Sequence, residues 1–350
     1  MLKITDYHYH LPSALIAQEP AKPRDHSRLF IYDTQTDKIR LARFYNLSQF
    51  LPPKSFLVFN DTKVAPARLT MHKETSGKVK LLFLVNEVVD HNTRFIRAFV
   101  DRQIKINDCL NFEKNLTITA VKQEENIFTF RLSFPYEKLK LALETAGAMP
   151  IPPYIKHSPL TSQELREKYQ TVFAKKWGSA AAPTAALHFT KHVFSDLIKS
   201  GIDQYFITLQ VGLGTFAPIN EENISQKKLH AELVEVNCQT LKSIKLAKVQ
   251  GKQLVAVGTT VVRSLESLVL QKKDRFNSHF STELFIFPPY QFKMVDGLIT
   301  NFHLPKSSLM MLVEAFLQYK KAKRHLVDLY SVAITEGFCF YSFGDAMLII

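Results

Sequence analysis

The chain has 350 residues, 46% hydrophobic and 22% charged, enough to bury a full core and too apolar for wholesale disorder. Lys and Arg outnumber Asp and Glu 45 to 32, a net charge of +13 that suits either a phosphate-rich partner or a plain basic enzyme. Cys109, Cys238 and Cys339 are widely spaced, with no CxxC, which argues against a disulfide scaffold and a thiolate zinc site.

The opening MLKITDYHYHLPSAL carries no apolar signal core, and no window approaches the roughly 18 uncharged apolar residues of a membrane span. A soluble, cytoplasmic protein is expected. Leu29–Tyr32 and Ser55–Asn60 are β-rich runs bounded by turn-formers. From about Ala67 to Phe134 the alternation has period two. Phe128, Phe130, Leu132 and Phe134 alternate with polar residues, as do Leu116, Ile118 and Ala120, which predicts a small antiparallel barrel or sheet.

The period then changes. Tyr136, Leu139, Leu143 and Ala146 share a helical face ended by Gly147, and MPIPPYI (Met149–Ile155) is a rigid connection. Strands are expected at Ile202–Val211, Leu254–Val257 and Phe338–Ile349, with helices at Thr240–Gln250, Thr260–Gln271 and around Leu309–Leu317. The fold class is therefore α/β. One α/β domain is built from residues 1–66 and 148–350, and a β-barrel module of residues 67–147 interrupts it.

Chemistry concentrates where strands end. In LVAVGTTVVRSLES (Leu254–Ser267), an apolar strand runs into Gly258, then Thr259 and Thr260, either of which can cap the next helix. The turn is either an ordinary capped junction or a helix start that offers backbone N–H groups to a ligand. LQVGLGTFAPI places Gly212, Gly214, Thr215 and Phe216 after a strand, where Phe216 is either a core residue or a stacking ring. In DGLITNFHLPKSSLMMLVEAF, Asp296, Asn301 and His303 precede a helix capped by Ser307 or Ser308; His303 is either a site residue or a satisfied structural one. AAAPTAALHF (Ala180–Phe189) is rich in small residues before His188. No HExxH, GxSxG or flanked nucleophilic Cys is present, and no metal site is predicted. Basic residues collect at Lys63 and Arg68 and in the run Lys320, Lys321, Lys323 and Arg324, which are the candidates for contact with nucleic-acid phosphates.

These segments, taken in order, resemble the S-adenosylmethionine:tRNA ribosyltransferase-isomerases of queuosine biosynthesis. The matching blocks are PRDHSRL, FNDTKVAPARL, MPIPPYI, KYQTVFA, AAAPTAALHF, TLQVGLGTFAPI, HAELVEV, AVGTTVVRSLES, VDGLITNFHLPKSSLMMLVEAF and FYSFGDAMLI, and they span nearly the whole chain. The resemblance implies a monomeric enzyme that uses S-adenosylmethionine as a consumed co-substrate, with no further cofactor. It would transfer and isomerise the ribosyl group onto 7-aminomethyl-7-deazaguanine at the wobble position of tRNA. Epoxyqueuosine-tRNA, adenine and methionine would be the products.

Candidates for proton handling are His188, His230, Glu232, Asp296, His303 and Asp345. Candidates for holding the donor are Gly212, Gly214, Thr215, Phe216, Gly258, Thr259, Thr260, Arg263, Glu266 and Asn301. Four positions depart from the family pattern: Lys80 for Glu, His157 and Cys339 each for Arg, and Ala186 for Gly. Two rival classes remain. A methyltransferase or dehydrogenase would carry a glycine-rich first strand–turn–helix with an acid about 20 residues on, which is missing. A non-catalytic tRNA binder would have no need of several glycine and histidine segments at strand ends.

Overall fold

The computed structural model describes residues 4–350 apart from residues 89, 91, 114–115, 213–220 and 272–277. The hairpin β1 (Arg28–Asp33) and β2 (Lys38–Arg43) comes first, then β3 (Ser55–Asn60) and the short β4 (Thr62–Val64). Six strands follow: β5 (Arg68–Lys73), β6 (Lys78–Phe83), β7 (Phe95–Val100), β8 (Cys109–Phe112), β9 (Leu116–Glu124) and β10 (Ile127–Leu132). They close into an antiparallel barrel in the order β10-β7-β6-β5-β8-β9. Its inward residues, among them Met71, Leu81, Ala98, Ile118 and Phe130, are those at alternate positions. Helix α1 (Tyr136–Ala146) packs Tyr136, Leu139 and Leu143 onto that core.

Gly147 ends α1, but not in the left-handed conformation that helix-ending glycines often adopt: its φ is −68°. A Cβ there would lie 2.0 Å from the Pro66 carbonyl and 2.5 Å from that of Leu143. The glycine is needed because the chain re-entering from the barrel passes against the chain that leaves for it.

After α2 (Ser162–Lys168), β11 (Lys176–Ser179) pairs with β4. Then come α3 (Lys191–Lys199), β12 (Asp203–Gln210), α4 (Glu221–Gln226), β13 (Lys228–Val236), α5 (Cys238–Val249), β14 (Gln253–Val257) and α6 (Thr259–Leu270). The chain finishes with β15 (Ser278–Leu284), β16 (Gly297–Asn301), α7 (Ser308–Tyr319), α8 (Leu326–Thr335) and β17 (Ala346–Ile349). The large sheet runs β15-β13-β12-β3-β14-β16-β17-β1-β2. β12, β3, β14 and β16 are parallel; β17 reverses direction against β16, and β1 runs parallel to β17.

All six residues of β3 are buried because both faces of the sheet are covered. Phe56 and Val58 pack with α6, α7 and α8; Leu57 and Phe59 pack with α3 and the segment around Phe44. Among the described residues, no helix is long and apolar enough to cross a membrane.

Three local expectations are corrected. The segment Phe338–Ile349 is a strand only from Ala346. A Cβ at Gly344 would come within 2.5 Å of the Cys339 carbonyl oxygen, so the chain turns tightly there and cannot extend. Helix α5 starts two residues earlier than its apolar period suggests, because the Asn237 side chain accepts the Thr240 N–H. The N-cap of α6 is Gly258 rather than a threonine, with φ +95° and no side-chain cap.

Candidate active site

A cleft opens where β14 and β16 end. Its floor comes from Gly258, Thr259 and Thr260 at the start of α6, and one wall from Ala181, Ala182, Pro183 and Ala185. The other side holds Thr300, Asn301, His303, Tyr154, Tyr341 and Ser342. Gly258 lets the chain turn from strand into helix at a backbone angle that L side chains rarely adopt. An added Cβ would meet nothing closer than 3.7 Å, so the space is free and the constraint is conformational. Gly258→Ala is therefore expected to lower stability by about 1–3 kcal/mol through backbone strain, read from a denaturant melt. An unchanged melt with lost ligand binding would show that the position matters for space instead.

The polar side chains are fixed by a chain of hydrogen bonds. Asn301, the last residue of β16, places Nδ2 3.3 Å from His188 Nε2 and 3.4 Å from the Asp345 carbonyl oxygen. On the far side of the imidazole, His188 Nδ1 is 2.8 Å from Ser27 Oγ. If the Asn301 amide donates to Nε2, the proton sits on Nδ1 and is given to the serine. Asn301 Oδ1 is buried and has no partner among the described residues, an acceptor left open beside the cleft. The Asp345 carboxylate accepts the N–H groups of Arg28 (2.6 Å) and Cys339 (2.8 Å), and burial raises its pKa.

His303 Nε2 is 2.7 Å from Thr300 Oγ1, while its backbone is held by the Tyr9 and Tyr330 hydroxyls. The cap of α7 is Ser307, whose Oγ accepts the Met310 N–H, so His303 has no capping duty. Burial pushes both His188 and His303 down to about 3, so both rings are neutral at pH 7. The unfolded chain takes up protons at both rings below about pH 6.5, whereas the folded chain refuses them until about pH 3. Stability should therefore fall as pH drops across that window, and His303→Gln should flatten part of the slope in melts at stepped pH. An unchanged slope would count against a depressed His303.

Deeper in the molecule, Arg263 of α6 pairs with Glu232 of β13, both buried. Arg263 Nε also donates to the Leu284 carbonyl at 3.0 Å, and Glu232 Oε1 accepts the Gly212 N–H at 3.1 Å. The pair thus ties α6 to the point where the chain leaves β12. Gly214, Thr215 and Phe216 lie outside the described residues.

Other candidates sit elsewhere. Glu266 is buried and accepts the backbone N–H groups of Lys293 and Met294, which makes it a loop anchor. Asp296 lies at the opposite end of the sheet, where it pairs with Lys248 at 2.5 Å and accepts the Leu254 N–H at 2.7 Å. Asn301, at the far end of the five-residue β16, is roughly 16 Å away at about 3.3 Å per residue step. His230 is exposed on β13.

The basic run is also at that far end: Lys320 Nζ donates to the Asp296 carbonyl, and Arg324 pairs with Asp37 after β1, leaving Lys321 and Lys323 exposed. Lys63 and Arg68 are on the near side, exposed, following β3 toward the barrel; Arg68 also donates to the Ile151 carbonyl at 3.1 Å. Of the four departures, Ala186 is fully buried, Lys80 and His157 are exposed, and Cys339 touches the site through its backbone N–H. Sequence reasoning missed Tyr154, Tyr341, Ser342 and Thr300. The first three stand in the MPIPPYI and FYSFGDAM blocks, where an aromatic beside prolines or a glycine was the available signal.

A mixed α/β body joined to a closed barrel, with a cleft at the strand ends, defines an enzyme of the α/β class carrying an accessory barrel. The profile of the queuosine biosynthesis protein family matches residues 4–349. The chain belongs to that family. It is 42% identical to the S-adenosylmethionine:tRNA ribosyltransferase-isomerase of a Nitratiruptor species, over 100% of this chain and 99% of that one. It is 41% identical to the protein of the same name from Moorella thermoacetica and 40% to that from Halothermothrix orenii, covering 100% of both partners in each comparison. The crystal structure of an S-adenosylmethionine tRNA ribosyltransferase from Thermotoga maritima superposes with a TM-score of 0.53 at 28% identity, over 99% of this chain and 100% of that one.

Proposed function

We propose that the protein is an S-adenosylmethionine:tRNA ribosyltransferase-isomerase. It transfers the ribosyl group of S-adenosylmethionine to 7-aminomethyl-7-deazaguanine at the tRNA wobble position, forming epoxyqueuosine-tRNA and releasing adenine and methionine. The observation that carries this reading is the cleft: an open buried amide oxygen, an uncapped helix start and a neutral imidazole converge at the strand ends. They do so in a chain that is 40% identical, end to end, to proteins of that name.

The residues suit the chemistry. A sulfonium acidifies the neighbouring ribose C5′ protons; loss of one gives an ylide, adenine leaves, the substrate amine bonds to the sugar, and methionine departs as the epoxide closes. Asn301 Oδ1 can accept an N–H or O–H from the donor's base or ribose. The α6 start offers backbone dipoles to a carboxylate or a ring nitrogen. Neutral His303 serves as a hydrogen-bond partner that adds no positive charge beside a cation. Lys63 and Arg68, on the near side, are the first cations to consider for tRNA phosphates.

The test is incubation with S-adenosylmethionine labelled in the ribose and with tRNA carrying the aminomethyl base. Adenine and methionine should appear together with label in the tRNA. Formation of S-adenosylhomocysteine and a methylated tRNA would overturn the proposal in favour of a methyltransferase.

A further inference from the structure

We propose that Tyr154 and Tyr341 form the wall that holds the donor's sulfonium, by presenting ring faces to a cation that no carboxylate in the cleft could meet. This rests on the reading of S-adenosylmethionine as the donor. A sulfonium has no N–H or O–H to donate, so it is recognised only by negative charge, carbonyl dipoles or aromatic faces. Among the described residues that line the cleft there is no Asp, Glu, Lys or Arg. The carboxylate nearest in sequence to this wall, Asp345, stands behind Asn301 with its oxygens taken by the Arg28 and Cys339 backbone. Asn301 Oδ1 offers one carbonyl dipole, and the aromatic rings of Tyr154 and Tyr341 line the same cleft, with ring centroids 4.7 Å apart and planes inclined by 53°.

Both rings are held by hydrogen bonds at their hydroxyls. The Tyr154 hydroxyl is 2.7 Å from Ser342 Oγ, and the Tyr341 hydroxyl is hydrogen-bonded to Tyr9. Tyr341 also has φ +70°, a left-handed backbone that costs a non-glycine residue energy and is kept only where the surroundings impose it. Its N–H donates to the Phe302 carbonyl at 3.1 Å and its own carbonyl accepts the Gly344 N–H at 3.0 Å, which pins that strained turn against the end of β16. Burial raises both phenols, Tyr154 to about 12, so they remain neutral at pH 7 and offer π-density rather than a phenolate. The arrangement also sorts substrate from product. The attraction persists while sulfur is a sulfonium, through the ylide, and is lost when methionine leaves as a neutral thioether.

The experiment compares binding of S-adenosylmethionine with that of S-adenosylhomocysteine, a neutral thioether of nearly the same shape, by calorimetry on the full chain. The parent protein should prefer the cation. Tyr341→Leu and Tyr154→Leu should each cut that preference about tenfold, the scale of a desolvated cation–π contact, by weakening the sulfonium alone. Tyr341→Phe and Tyr154→Phe should keep it. Each ratio is measured on one preparation, so any loss of folded protein cancels. Equal weakening of both ligands in the Leu variants, or a parent that does not discriminate, would overturn the inference while leaving the donor assignment standing. A parent that binds neither ligand would overturn both.

Discussion

Glu232→Gln should lower stability by about 3–5 kcal/mol, the usual cost of removing one partner from a buried ion pair. The variant keeps the shape of the side chain but leaves the Arg263 guanidinium charged, buried and without its counter-ion. One Arg263 nitrogen, Nη2, already lacks a partner among the described residues, so the arginine has no spare acceptor there to turn to. Replacing both residues by apolar ones of similar volume (Arg263→Met with Glu232→Leu) should cost much less, because nothing charged is then stranded. The double replacement still removes the acceptor that holds the Gly212 N–H. Its donor affinity should therefore fall even where its stability recovers. Denaturant melts of the two variants, with calorimetry on the double one, decide the matter. A single variant as stable as the parent would show that water reaches the pair.

His303→Ala is expected to lower turnover by about 100-fold while leaving tRNA binding intact, the scale commonly lost with a group that orients or moves a proton. The ring lines the cleft, and its hydrogen bond to Thr300 sets which way it faces. His303→Gln, which keeps hydrogen-bonding ability without the ring, should recover part of the loss if the role is hydrogen bonding by a neutral group. Parental turnover combined with a clearly lower melting temperature would instead make His303 part of the scaffold.

Much of the frame was readable because hydrophobic period and burial agree there. Ser55–Asn60 reads as a strand and is β3, buried along its full length; the period-two run through Phe128 and Phe130 reads as barrel and lies in it. Leu309, Leu312, Val313 and Phe316 predict α7 because one wide apolar stripe meets the sheet. Legibility fails where a contact distant in sequence decides the local shape. Nothing near Phe338 announces the turn at Gly344, which depends on how tightly the chain folds back on Cys339 and Phe340. Asp296 looked like a site residue for its polar setting, yet it belongs to the end of β16 that Lys248 and Lys320 cover. The basic run shows the same limit: its charge is visible in sequence, but the end of the sheet that carries it is not. His188, Asn301 and Asp345 were each visible as polar residues at element boundaries; their linkage needed β16 and β17 to lie side by side.

That antiparallel pairing has a consequence for biosynthesis. β17 is the staple between β1, made long before it, and β16, separated from it by two helices. While the ribosome is still adding α8, the first hairpin has no neighbour through which to join the rest of the sheet, whereas the strands of the barrel are contiguous in sequence. The backbone N–H of Arg28 and the amide of Asn301 likewise wait for Asp345, one residue before the staple. The cleft is therefore complete only once β17 has joined β1 to β16.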